Sequence, residues 1–555
     1  MALLFLFVIV INFFITPSKI KNLPIIYTTF PILNGLEIII PKPKKIEDTP
    51  CIQFYRFSKI HGDVYQIFFG TKLVVVANSY ESIKLLWCSK NVKGNNSRPV
   101  SYSFHKILSN GVYTIGTTPI GESYKKSRKH INETVLCEKK NNNFNFLIMD
   151  KYSNEMIDDI ITNYKISINE NDEEDNENLI SSDFLKEVQY FHLKLALFLT
   201  YGFELNIHDV VHKKLANEII DVENKITKVR SHIQNFQDYL PIYINTFISL
   251  FSNRNDRLKR LYETRESYLQ MFYNYSRQVY DGISTQNITT QNLIESYKVI
   301  NKIEDFKNTL MFSYFNSIDK KVNLQEITSE CLTMVSAGLD NTPLTFKYGL
   351  HQLVNYHSDL WDKAFKDLIK YYNNDFENAY NECSNDMKSE YVKAIVQETL
   401  RLFTVLPMAL PRETTNNIFY QNAVIRKGTI LFMNCWAGNH DKNVFPEPMK
   451  FIPERWLITI DGEQIVDVKI NHFSFGIGSR KCLGNRFAFR ELYILFAKLI
   501  LYFEPITDID KSSLPASDPL ALNQFPDSLA IELIPFEIRL KRRVKTVIGD
   551  LPAID

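Results

Sequence analysis

The sequence predicts a mainly α chain with small β-sheets, an α+β protein in which short strands interrupt long helices. Three observations carry this. Apolar residues recur at helical spacing over long stretches, as from about Gln325 to Val354 and from Phe487 to Phe503. Strand-type runs are short and few. The chain of 555 residues is 45% hydrophobic, enough for a large core. Length alone suggests about three or four domains. The segments that carry chemistry override that prior, because they spread from about residue 120 to 490 and read as walls of one site.

Met1 to Ile15 is almost wholly apolar, broken by Asn12. At about 1.5 Å per residue it extends about 22 Å against a hydrocarbon core of roughly 30 Å, so it reads as a shallow or marginal span. No A-x-A site follows it, which argues against a cleaved leader. Lys19 and Lys21 come directly after, which favours a cytosolic remainder. The expected organisation is an anchor over residues 1–20, a linker over 21–50, one catalytic domain over 51–545 and a tail over 546–555.

Phe54 to Ile60 reads helical. Asp63–Gly70 and Lys72–Ala77 read as a β-hairpin with a Gly-containing turn. Asn169–Asn178 is acidic and lacks apolar periodicity, the signature of a surface loop. Leu240–Phe251 is apolar and reads as a core helix. Short strand signals return over Asn417–Met433. Ile531–Pro535 and Phe536–Leu540 read as a final hairpin cut by proline. Net charge is +1, so composition points to no nucleic-acid partner. The cysteines number seven, show no metal-type pairing and suggest a reducing compartment.

Cys482 stands apart. Phe475-Gly476-Ile477-Gly478-Ser479-Arg480-Lys481-Cys482-Leu483-Gly484 reads F-x-x-G-x-R-x-C-x-G. A chance match anywhere in the chain is on the order of 10⁻⁵. Gly478 and Gly484 permit tight folding around the sulfur and bring N–H groups towards it. The helix that follows adds the positive end of its dipole. Such a thiolate suits the axial position of a haem iron, and a sulfur ligand favours O–O cleavage. Arg480 suits a haem propionate, and Phe475 can keep water from the sulfur.

This segment is similar to that of the cytochrome P-450 family. Three further blocks follow the family's order. Glu398-Thr399-Leu400-Arg401 resembles its E-x-x-R helix. Phe451-Ile452-Pro453-Glu454-Arg455-Trp456 resembles its F-x-P-E-R-F segment. The resemblance implies a buried network of Glu398, Arg401 and Arg455 that locks the loop leading to Cys482. Ala337-Gly338-Leu339-Asp340-Asn341-Thr342 resembles the A-G-x-D/E-T-T/S segment where a helix crosses the haem's distal face. There Ala337 and Gly338 leave room for macrocycle and dioxygen, and Asp340 belongs to proton delivery. The usual first Thr is Asn341; either Asn341 orients a catalytic water, or Thr342 takes over, or the enzyme has left oxygenation. Arg128 and Tyr124 stand where the family has propionate-binding W-x-x-x-R, and Arg412 where it has a propionate-binding strand residue.

The resemblance implies the P-450 fold, a triangular helical domain around a buried haem b with an axial thiolate. For Leu240–Phe251 it implies, as the alternative to a core helix, the lipid-facing roof of a channel. It implies a monooxygenase that inserts one oxygen atom of dioxygen into an apolar organic substrate. No flavin domain or nicotinamide fingerprint is legible, so an NADPH-cytochrome reductase is expected as electron donor, with a cytochrome b-type protein as a further donor. Lys125, Lys126 and Lys129, with Arg486 and Arg490, are a candidate basic docking face. The expected location is the endoplasmic reticulum membrane, catalytic domain towards the cytosol. The alternatives are a haem-thiolate isomerase or dehydratase acting on a peroxide without reductase, and a non-catalytic haem sensor.

Overall fold

The structure, a computed structural model, describes residues 17–26, 46–88, 93–112, 114–136, 138–163, 179–231, 235–240, 254–285, 303–317, 324–467, 469–506 and 514–543. The acidic run 169–178 and the apolar segment 241–251 lie outside them, as do residues 1–16. Among the described residues no helix is long and apolar enough to cross a membrane.

The principal helices are α1 (Pro50–His61), α2 (Tyr80–Trp87), α3 (Glu122–Ile131), α4 (Glu138–Asn163), α5 (Leu185–Tyr201), α6 (Val210–Val229), α7 (Arg254–Thr285), α8 (Leu324–Ser336), α9 (Asn341–His351), α10 (Ser358–Lys370), α11 (Phe376–Asp386), α12 (Glu390–Phe403) and α13 (Asn485–Tyr502). The helix expected near Phe54 is α1, with Pro50 at its first turn, where a missing N–H costs nothing. Helix α13 follows Cys482 and is buried without a break from Glu491 to Leu501. An α-helix apolar all round belongs in a core. The Phe346 and Phe496 rings, 4.8 Å apart, pack α9 against it.

The expected hairpin forms from β2 (Val64–Phe69) and β3 (Lys72–Ala77). It sits in a five-stranded sheet with β1 (Ile25–Ile26), β8 (Ile430–Met433) and β5 (Arg412–Glu413), in the order β1-β2-β3-β8-β5. The last residue of the segment read as anchor and part of the linker therefore dock: Ile20, Leu23 and Ile26 are buried, and the Gln66 side chain bonds the Ile20 and Leu23 backbone. The 417–433 signals resolve into β6 (Ile418–Tyr420), β7 (Ala423–Ile425) and β8.

Two expectations are corrected. The C-terminal hairpin does not form: Ile538–Arg542 pairs with Phe503–Pro505 on one side and Leu179–Ser182 on the other. Residues 531–535 contribute a single bridge, Leu533 with Asn523. Pro535 removes a backbone donor between the two runs, and no turn residue replaces it. The long helix expected from Gln325 to Val354 is broken over residues 337–340, between α8 and α9. Pro343 has no N–H, and its ring crowds the carbonyl of residue 339, so the helical ladder cannot run through. The Asn341 amide donates to the Ala337 carbonyl at 2.9 Å and secures the break.

Candidate active site

The Cys482 loop is shaped by its own backbone. Cys482 N–H donates to the Phe475 carbonyl (2.8 Å) and Lys481 N–H to the Gly478 carbonyl (3.0 Å). Gly478 has φ +74°, and a Cβ there would collide with the Trp87 carbonyl. Gly484 differs from expectation: its φ is −83°, and no protein atom lies within 4 Å of where a Cβ would stand. Neither strain nor a protein neighbour demands glycine there.

Among the described cysteines Cys482 alone is exposed; Cys51, Cys331, Cys383 and Cys435 are buried. Burial pushes the Cys51, Cys331 and Cys383 thiols up to about 12. The surrounding protein also raises Cys482, and the Gly484 N–H, Arg128 and Lys481 pull it back. The donors expected around the sulfur are present, but desolvation outweighs them. A metal cation's own charge completes deprotonation of a coordinating thiol.

A cluster of arginines stands beside this loop. Arg480 donates to the carbonyls of Asn96 (3.3 Å), Ile115 (3.1 Å) and Thr118 (2.8 Å) and lies 3.9 Å from the Tyr124 ring centre. Arg412, from β5, reaches the Ile477 carbonyl and the Asn95 side chain. Arg128, from α3, donates to the Lys481 carbonyl at 2.9 Å. Arg98, which sequence reasoning missed, donates to Gly116 (2.9 Å), Leu410 (2.6 Å) and Pro411 (2.7 Å). Among the described residues no carboxylate pairs with any of the four. Burial and their mutual repulsion lower Arg98 strongly, Arg412 to about 9 and Arg480 to about 10. The Tyr124 hydroxyl is buried without a partner among the described residues. A buried positive cluster with an orphan donor calls for an anionic group.

The broken helix forms another wall, joined to the first through Ile115, whose N–H donates to Thr333 Oγ1 at 3.1 Å. Ala337 is exposed and Asn341 half-buried on one face, one helical turn apart. Thr342 is 5% exposed and packs into the core, so it is not brought to that face. Gly338 has a protein neighbour that also demands a small residue: a Cβ would strike the His192 ring. His192 bonds Glu491 of α13 at 2.9 Å, and its Nε2 is buried without a partner among the described residues. Nothing local in the sequence pointed to this pair.

Asp340 is buried, and desolvation raises its carboxyl to about 7. A bond from Thr227 and the charge of Lys228 lower it, while Glu532 and Glu223 raise it. The folded chain thus holds a proton that an ordinary carboxyl, near 3.8, releases. This contribution to stability is fully present below about pH 4 and is lost as pH rises through about 7. D340N should therefore gain thermal midpoint over the wild type at pH 8 but not at pH 4, while proton-dependent turnover falls by roughly tenfold or more. Equal midpoints at both pH values would refute the desolvated carboxyl.

The network of Glu398, Arg401 and Arg455 is assembled. Arg401 grips Glu398 bidentately (2.9 and 2.8 Å), and Arg455 Nε donates to it at 3.1 Å. Trp456 adds an indole N–H at 2.9 Å, a donor that Phe would lack. Arg401 also donates to the Asn439 carbonyl (2.9 Å). The Asn439 side chain accepts from Phe473 N–H (2.7 Å) and donates to Ser474 Oγ (3.1 Å). The network is thus tied to the residues just before the Cys482 loop.

The Cytochrome P450 family model matches residues 36–529. The chain belongs to the cytochrome P450 family. This P450 is 30% identical to a phenylacetate 2-hydroxylase of Emericella nidulans over 91% of both chains. It is 32% identical to a 3-hydroxyphenylacetate 6-hydroxylase of the same organism, over 87% of this chain and 84% of the relative. An isoflavone 2'-hydroxylase of Glycyrrhiza echinata is 25% identical over 98% and 96%. The family is one of haem-thiolate oxidoreductases, and the residues fit haem b. Cys482 would supply the axial thiolate; Arg98, Arg128, Arg412, Arg480 and Tyr124 would hold the propionates.

Proposed function

We propose that this P450 monooxygenase hydroxylates an aromatic small molecule. In this reading it draws electrons from a separate NADPH-dependent flavin reductase. Met1 to Ile15, the apolar part of the expected anchor, hold it at the endoplasmic reticulum membrane, catalytic domain facing the cytosol. The observation that carries the reading is the exposed Cys482 beside four arginines that have no carboxylate partner among the described residues. Bound haem supplies dioxygen activation, leaving one oxygen atom for the substrate and one for water. The chain's residues do the rest. Cys482 ligates, the arginines orient, Asn341 holds the break through its bond to Ala337, and Asp340 holds a proton near neutral pH.

The relatives support an aromatic ring as target: two are named for arylacetates and one for an isoflavone. The basic docking face is weaker than its sequence suggests. Lys125, Lys126 and Lys129 each pair with a carboxylate, Glu122 (2.7 Å), Glu326 (3.1 Å) and Glu133 (3.9 Å). Surface pairs of this kind contribute little stability but do neutralise the field.

The test is reconstitution with NADPH and a microsomal flavin reductase on aromatic substrates. Ring hydroxylation should appear only when the reductase is present. Turnover of an organic peroxide with no reductase-dependent product would overturn the reading in favour of an isomerase.

A further inference from the structure

Arg230 ends α6 and is half-buried. Its guanidinium lies 4.5 Å from the centre of the Phe104 ring. Among the described residues no hydrogen bond or ion pair engages it. The nearby carboxylates are committed elsewhere. Glu223 takes Arg265 (Nε to Oε1, 2.8 Å) and the Tyr268 hydroxyl, and Asp340 is bonded to Thr227. The field around Arg230 is mixed: burial and Arg265 oppose its charge, Glu223 and Asp340 favour it at a distance, and Arg230 in turn opposes the charge of Arg98. A partly desolvated cation of this kind is ordinarily paired, and an aromatic face compensates it only in part.

The next residue, Ser231, lines an open apolar cleft. Its other walls include Phe54, Pro407, Met408, Phe432 and Ile531, which are apolar. The C-terminal loop is pinned there by Lys228, which pairs with Glu532 at 2.9 Å and stacks over Phe525 at 4.1 Å. An apolar cleft that begins one residue along the chain from an uncommitted guanidinium suits a molecule with an apolar body and an anionic head. Arg presents a fork of N–H donors that matches a carboxylate.

We propose that Arg230 anchors a carboxylate on the substrate, so that this P450 acts on apolar aryl carboxylic acids, with Phe104 stacked on the guanidinium. This rests on the aromatic-hydroxylase reading above and adds the class of substrate.

The test uses the full-length holoenzyme as wild type, R230Q and R230K. The probes are phenylacetate, 3-phenylpropionate and 1-naphthylacetate, each beside its neutral primary amide. The readout is the probe-induced spin shift of the haem. At least one acid should bind the wild type roughly tenfold or more tightly than its amide, the scale of a charge-assisted hydrogen bond. R230Q should bring that ratio close to one, and R230K should retain part of it. No acid preferred over its amide, or a preference that survives R230Q, would overturn the proposal. So would loss of haem from R230Q, which would make Arg230 a propionate ligand. The two readings fail separately. Neutral arenes hydroxylated with no acid preference would sink only the anchor. Arg230-dependent acid binding without reductase-driven product would sink only the hydroxylase reading.

Discussion

A Cys482→Ser variant should lose the long-wavelength absorption band of the reduced carbon-monoxide complex, and monooxygenase turnover should drop below detection. A serine hydroxyl is a harder, far weaker donor than thiolate and cannot push electron density towards O–O cleavage. The fold should survive. The Cys482 sulfur takes one N–H, from Gly484, and the loop is held by backbone bonds and Arg128. Stability measured without haem should change by less than about 1 kcal/mol. Cys435 offers the contrast: it is buried against the Phe473 carbonyl, so C435S should leave the spectrum intact. A C482S protein with the unaltered band would remove the axial ligand assigned here.

Replacing Glu398 with alanine should be the most destabilising single change away from the sulfur. It strands Arg401, fully buried, and Arg455, whose side chain is 9% exposed, without their common carboxylate. It also orphans the Trp456 indole N–H and the Ile452 N–H. Stranding a buried ion costs about 3–5 kcal/mol. Because Arg401 leads through Asn439 to Phe473 and Ser474, haem retention should fall together with the thermal midpoint. E398D should recover part of both. A normal midpoint with normal haem content in E398A would show that the network does not hold the loop.

Local spacing accounts for what was readable beforehand. The Cys482 loop, the Glu398–Arg401 turn and the α1–β3 region are set by residues within a few positions of one another, where turn chemistry and periodicity act. The break over residues 337–340 was also within reach, because Pro343 is visible in the sequence. The final hairpin misled: two β-prone runs look alike whether they pair with each other or with distant strands, and here Ile538–Arg542 pairs with Phe503–Pro505 and Leu179–Ser182 while the first run makes one bridge to Asn523.

The sequence by itself determined the Cys482 loop, the shared helix face of Glu398 and Arg401 and the helix-rich class, since each is written in short fixed offsets; the burial of Glu398 came from the family resemblance. Tertiary structure alone decided the rest. It brought Arg98 to Leu410 across 312 residues and His192 to Glu491 across 299. It left the Arg230 guanidinium on the Phe104 ring with no ion partner among the described residues, turned Thr342 into the core and brought Lys126 to Glu326. Contacts at such separation leave no period in the chain, because which charge finds a partner is settled only when packing excludes water from all the others.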